Sequence, residues 1–333
     1  MSDANAAALP VAAGFAWRRA LLQATLPIAV VALLLGFALF DDRVLSGANL
    51  INIIQQTSYL ALFAMAQTVV IIARGFDLAL GPTVSMASVG AALAMAVATA
   101  AGRDPAVVLL LGLAGGLGLG LGCGLFNGTV VAGLGVNPFV ATLGSYNVAI
   151  GIATTLSGGR PVQGVPQAFS QFFYGGTLLG VPAAVAIAVV VGVVLQLTLT
   201  RTVYGRSLYV IGSNPRAAAV AGLPVARILI ATYVLCSMIA ALGAIMLTAR
   251  TGSGEPNLGG SLSLQSIAAA VVGGASLAGG RGGVGSATLG ALFVTILSNG
   301  MNLTRIDGYV QMVVLGAIVI VGVLLDRVRL EQR

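Results

Sequence analysis

Asp77 opens an apolar run within the motif Gly75-Phe76-Asp77-Leu78-Ala79-Leu80-Gly81, and the apolar runs contain no other acid. An ionisable group at such a position points to a solute path, a proton relay or a helix terminus. Gly75 and Gly81 flank it and Pro82 follows, a residue tolerated in a first helical turn. A carboxylate at that point stabilises a helix start, with Arg74 as the expected charge partner. The functional alternative is a hinge or gate anchored on Gly75, Asp77 and Gly81. Proton-coupled carriers need titratable groups along their path, yet this chain has no histidine, and its sixteen basic residues are all arginine. Ion coupling through carbonyls and hydroxyls stays open as the alternative mechanism.

Covalent chemistry finds no support. Nucleophile–base pairs and metal-ligand clusters are missing, so neither catalytic nor metal-binding residues are assigned. Cys123 and Cys236 both fall in apolar runs, where cysteine behaves as a small hydrophobe. The run Gly280 to Gly285 fits G-x-G-x-x-G, but no acid occurs between Glu255 and Asp307 to complete a dinucleotide fingerprint. A chain without lysine has no Walker A phosphate cradle. The expected work is therefore movement of a solute, with free energy supplied by another chain.

The elements that position these residues are apolar helices. The 333 residues are 58% hydrophobic and 8% charged, with a mean hydropathy of +1.03, which makes lipid the principal solvent. Ten runs stand out, at residues 20–40, 50–73, 78–101, 106–131, 139–156, 177–200, 228–249, 262–278, 284–303 and 309–325. Each approaches the roughly 20 residues that cross a hydrocarbon core. Backbone hydrogen bonds must close within each segment there, so the runs are expected to be helices. The run at 262–278 is short and ends in glycine, as a half-crossing would. The fold class expected is an all-α polytopic membrane protein of about ten transmembrane helices. Residues 20–325 would form one domain, between an N-terminal tail (1–19) and a C-terminal tail (326–333).

Charge sets the orientation, because loops that stay in the cytoplasm retain arginine. With the N-terminus inside, the inner face collects eleven arginines against four acids, and the outer face five against five. Both termini are then cytoplasmic. The excess of +7 follows from this rule, and no nucleic-acid partner is implied.

Gly112, Gly116, Gly120, Gly124 and Gly128 recur every fourth residue, a small-residue ridge that allows close helix packing. The segment Gly75 to Gly90 aligns with Gly259 to Gly274 through four identities. The two open the third and eighth runs, so an inverted repeat of five plus five is compatible with the pattern. Gln67, Asn137, Pro138, Asn147 and Ser266 are polar or helix-breaking groups inside runs and are the candidates for a solute path, although helix–helix hydrogen bonding is their ordinary use.

The stretch 201–227 is too basic and too long for a plain turn. Asn214 is placed as an N-cap with Pro215 at the first helical position, Arg216 to Ala221 favour helix, Gly222 stops it and Pro224 forbids continuation. Two turns of helix are marginal alone, which docking against a partner would rationalise; a passive cytoplasmic loop is the alternative. At this point the chain resembles the transmembrane permeases of ribose-type ABC importers of simple sugars. The likeness rests on Gly75 to Gly81, Asn127 to Gly144, Gly205 to Arg227, Thr248 to Gly260 and Ile267 to Gly282. It implies that Asn214, Pro215, Arg216, Ala217, Ala218 and Gly222 form a cytoplasmic coupling helix that enters a groove on an ABC ATPase. It further implies a second permease copy as a homodimer partner and a periplasmic sugar-binding protein, with ATP and Mg bound by the ATPase and no cofactor by this chain. The substrate would be a pentose, a hexose or a related small polyol. Two positions depart from the family pattern. Arg216 stands where an acid is common, and Ala79 where a serine is common.

Overall fold

The computed structural model describes the backbone of residues 11–331 and the side chains of residues 25–324 and 326. The tails 1–10 and 332–333, and the side chains of Arg18, Arg19, Arg327 and Arg329, lie outside the described residues. The helices are α1 (Val11–Ala38), α2 (Gly47–Ile72), α3 (Leu80–Ala100), α4 (Pro105–Gly128), α5 (Pro138–Ser157), α6 (Gln167–Ser170), α7 (Ala183–Arg201), α8 (Val203–Ser213), α9 (Pro215–Val220), α10 (Val225–Thr251), α11 (Leu262–Val272), α12 (Val284–Leu303) and α13 (Gly308–Glu331). A helix thus covers most of each apolar run. Strand among the described residues is confined to a hairpin of β1 (Thr177–Leu178) and β2 (Val181–Pro182).

Six helices are long and apolar enough to cross a membrane: α3, α4 with the π turn that extends it to Gly133, α5, α7, α10 and α12. All of these but α10 carry exposed Leu, Val, Ile or Phe, including Val189, Val190, Val193 and Val194 on α7. A contiguous apolar exterior of that kind is stable only in lipid. The chain is a polytopic all-α membrane protein. α2 has the length of a crossing, but Asn49, Asn52, Gln55, Gln56 and Gln67 lower its hydropathy. Four of these amides lie in its partly exposed first half, whereas every residue from Thr57 to Ile72, Gln67 included, is buried among α10, α11, α12 and α7.

Two runs are trimmed. Residues 177–182 are hairpin rather than helix, since Leu179 and Gly180 take positive φ and α7 begins only after Pro182. The run at 262–278 is helical only to Val272, because Gly274 adopts φ +93°. Eleven residues rise about 16 Å, roughly half the hydrocarbon thickness.

The glycine ridge of α4 is filled from within the chain. Gly112 lies against Met95 and Gly116 against Ala87 of α3, whereas Gly120, Gly124 and Gly128 lie against Ala241, Val234 and Ile230 of α10. A Cβ on Gly124 would stand 2.7 Å from the Val234 Cα. Backbone-to-backbone approach of this order is what small residues every fourth position permit.

The bundle has two distinct ends. At one, the Gly280 amide donates to the Ile72 carbonyl (2.9 Å), and Asp326 accepts from the Ser276 hydroxyl and the Leu277 amide. This end carries α8, α9 and Arg74, Arg201, Arg206, Arg216, Arg227 and Arg281. At the opposite end Asn49 and Asn299 exchange amide hydrogen bonds between α2 and α12, and Val162 pairs with Gly254. The single ion pair among the described residues, Arg43 with Asp41, is also there.

Candidate functional site

After α2 ends, the chain turns back into the protein. Arg74 takes φ +65°, and residues 75–79 run beside the last turns of α2. Gln67 fixes this return. With its amide oriented to satisfy both groups, it donates to the Asp77 carbonyl (3.1 Å) and accepts from the Asp77 amide (3.3 Å). The Tyr233 hydroxyl of α10 holds the neighbouring Phe76 carbonyl at 3.2 Å, and Gly75 leaves the room that this hydroxyl occupies.

Asp77 is fully buried. Its carboxylate accepts from the Ala79 amide at 3.0 Å, from Asn127 of α4 at 3.5 Å and from the Cys236 thiol of α10 at 3.7 Å. This differs from the expectation of a helix cap paired with Arg74. Arg74 is exposed and joins no ion pair among the described residues, and α3 begins without a side-chain cap. The carboxylate instead ties three helices to the returning strand of chain. Asp77→Ala leaves the Ala79 amide without an acceptor and Asn127 with only its weak contact to Cys123 Sγ, at about 1–3 kcal/mol for a buried group that loses its partner. Its melting temperature in detergent is expected to fall clearly below that of Asp77→Asn, whose side-chain oxygen still accepts from Ala79; equal melting of the two variants counts against this role.

α3 and α11 meet at their starts in a reciprocal clasp. The Gly81 amide donates to Ser263 Oγ at 2.8 Å, and the Gly259 amide donates to Ser85 Oγ at 2.9 Å. The Ser263 hydroxyl in turn donates to the Leu78 carbonyl at 2.8 Å. A Cβ on Gly81 would strike the Gly259 carbonyl oxygen, and one on Gly259 would strike the Gly81 carbonyl oxygen. The motif is Gly-x-x-x-Ser twice, GPTVS at 81–85 and GGSLS at 259–263. The contact therefore matches Gly81 with Gly259 and Ser85 with Ser263, a different register from the alignment of Gly75 with Gly259. The loop that leads into α11 lies along α3, with the Glu255 amide on Ser88 Oγ.

Of the candidates for a solute path, Gln67, Gly75, Asp77 and Gly81 come together here. Ser266 lies one turn beyond Ser263 and donates to its carbonyl. Asn137 and Pro138 are elsewhere, as N-cap and first residue of α5, where Asn137 accepts from the Phe139 amide. Asn147, further along α5, is exposed and donates to the Leu143 carbonyl. Asn127, Ser85 and Ser263 escaped the sequence reading. The doubled Gly-x-x-x-Ser was the available signal for the two serines.

At the connector end, α9 has Asn214 as N-cap, its Oδ1 3.0 Å from the Ala217 amide, Pro215 first, and Gly222 at φ +80° beyond its end. Ala218 is fully buried, while Arg216 and Ala217 are exposed and Val220 is 91% exposed. α8, which residue types alone did not reveal, begins with the Thr202 hydroxyl capping the Gly205 amide. It is bound to the bundle where Tyr209 donates to the Gly282 carbonyl at 2.9 Å and Gly212 abuts the Ile72 carbonyl.

A family model described as the permease component of branched-chain amino acid transport systems matches residues 49–323. The chain is 35% identical over 296 residues to a ribose import permease protein of Bacillus subtilis, covering 87% of this chain and 88% of that one. It is 31% identical over 300 residues to a D-allose transport system permease protein of Escherichia coli, covering 90% and 89%. It is 31% identical over 318 residues to a galactose/methyl galactoside import permease protein of Haemophilus influenzae, covering 91% and 94%. No solved structure gives a significant match. With the family model spanning residues 49–323, from α2 into α13 and through the connector, this chain belongs to the ribose-type family of ABC importer permeases, transport subunits that are not themselves enzymes.

Proposed function

We propose that this chain forms the translocation path of an ATP-binding-cassette importer for a simple sugar, a pentose, a hexose or a related small polyol, by alternating access. The observation that carries the reading is the full-length likeness to permeases named for ribose, allose and galactose. α9 supports it mechanically, as a short, capped, largely exposed helix offered to a partner at the arginine-rich end. That end faces the cytoplasm in this reading, where an ABC ATPase binds ATP and Mg and receives the helix. Both termini are cytoplasmic, the membrane is the bacterial inner membrane, and a second copy of the chain completes the path. A periplasmic sugar-binding protein delivers the solute to the opposite end.

Reconstitution into liposomes tests this. Uptake of radiolabelled D-ribose, D-allose or D-galactose is expected only when the chain is combined with the ATPase and binding protein encoded beside it, and only with internal ATP and Mg. Accumulation by the chain alone under a sodium or proton gradient establishes the ion-coupled alternative instead.

A further inference from the structure

The end opposite the connector contains a cavity of about 360 Å³ that none of the sequence candidates lines. Its size falls within the roughly 300–1,000 Å³ of small-molecule sites. Five helices build it, α2, α10, α11, α12 and α13, and α11 contributes through its first turn. The polar walls are Gln56, Tyr59, Arg250, Gln265, Asn302 and Gln311. Phe63 closes the wall behind them and is itself fully buried.

These groups are held in place before any ligand arrives. Gln56 donates to Asn52 at 2.9 Å, Gln265 to Ser261 at 3.0 Å, and Gln311 to Asn302 at 2.8 Å and to the Ile306 carbonyl at 3.0 Å. Arg250 lies over the Tyr59 ring, 5.8 Å from its centre, and forms no ion pair among the described residues. Tyr59 is 4% exposed, and its hydroxyl has no hydrogen-bond partner. A buried hydroxyl without a partner costs free energy that a ligand or water recovers.

We infer that this cavity is a monosaccharide-binding site of the permease itself, distinct from the site on any delivering protein. Side-chain amides both donate and accept, as sugar hydroxyls do, and a guanidinium supplies donors in a fixed fork. The lining contains no aspartate or glutamate. An α-ammonium group would therefore be desolvated there without a counter-charge, which disfavours an amino acid as occupant. The inference rests on the sugar-importer reading, which it deepens by placing a point of recognition within the membrane subunit.

The test is equilibrium binding of tritiated D-ribose, D-allose and D-galactose to the full chain in lipid nanodiscs, without ATPase or binding protein, and with L-leucine as competitor. Saturable binding of at least one sugar, unaffected by leucine, is expected. Arg250→Ala is expected to weaken it about tenfold, the loss appropriate to a hydrogen bond from a charged donor. Gln265→Ala should weaken it about fivefold, with a melting temperature near that of the wild type. Absence of saturable binding for all three sugars overturns the inference, as does binding that both variants leave unchanged. Uptake by the complete importer, measured in parallel, separates the two readings: uptake without binding to the isolated chain refutes this site and leaves the importer intact, whereas ATP-driven uptake of leucine in place of sugar refutes both.

Discussion

Gly259→Val is expected to abolish sugar uptake by the assembled importer and to lower the melting temperature of the permease sharply. The added side chain has nowhere to go. Its first carbon strikes the Gly81 carbonyl, which is backbone and therefore unable to rotate aside. Insertion of methyl groups into a packed interior ordinarily costs about 1–3 kcal/mol through shifted side chains, and a clash with backbone lies at or above the top of that range. Separation of the two backbones also breaks the hydrogen bonds from the Gly81 amide to Ser263 and from the Gly259 amide to Ser85. Gly81→Val is expected to match it, because the contact is reciprocal. Ser263→Ala makes a graded control, since it removes the acceptor for Gly81 and the donor to Leu78 without adding bulk. Uptake of labelled sugar and thermal unfolding in detergent read out all three variants. Wild-type uptake by Gly259→Val would show that α3 and α11 need not meet during the transport cycle.

The clasp also marks where sequence reading stopped. The apolar runs located the helices because crossing lipid imposes length and composition on each segment separately. The ends of α9 were legible for a similar reason, since Asn214, Pro215 and Gly222 act on the backbone beside them. Contacts between distant segments leave no such local trace. Gly81 and Ser263 are 182 positions apart, and their pairing depends on how a returning chain and a half-helix share one interior. The cavity at the end opposite the connector is less legible still. Gln56, Arg250, Gln265 and Gln311 come from four helices, and each alone resembles an ordinary polar residue near a helix end. Asp77 was noticed because it was the lone acid of the apolar runs. Its partners were misjudged because charge suggested Arg74, while the fold supplied an amide, Asn127 and Cys236.

The second large effect is expected at Gly212, on the link between the connector and the membrane helices. A short helix seated on an ATPase transmits motion only if it is stiffly joined to what must move. α9 follows directly on α8, and α8 bears on the end of α2 and on the loop before α12 through Gly212 and Tyr209. A Cβ at Gly212 would collide with the Ile72 carbonyl and stand 2.6 Å from the Gly280 amide, the two groups that hydrogen-bond to each other. Gly212→Val therefore pries α8 away from both α2 and the loop before α12. ATP hydrolysis by the assembled importer should persist at its basal rate, while stimulation by the sugar-loaded binding protein disappears and uptake falls about tenfold or more. Tyr209→Phe deletes one hydrogen bond, worth about 1 kcal/mol, and should lower uptake roughly fivefold with the same separation of hydrolysis from transport. Parallel loss of hydrolysis and uptake, with the ATPase released from the membrane, would instead make this junction a site of assembly. Retention of stimulated hydrolysis in both variants would mean that force reaches the bundle by another contact, because α8 would then be free to move while α2 and α12 still responded.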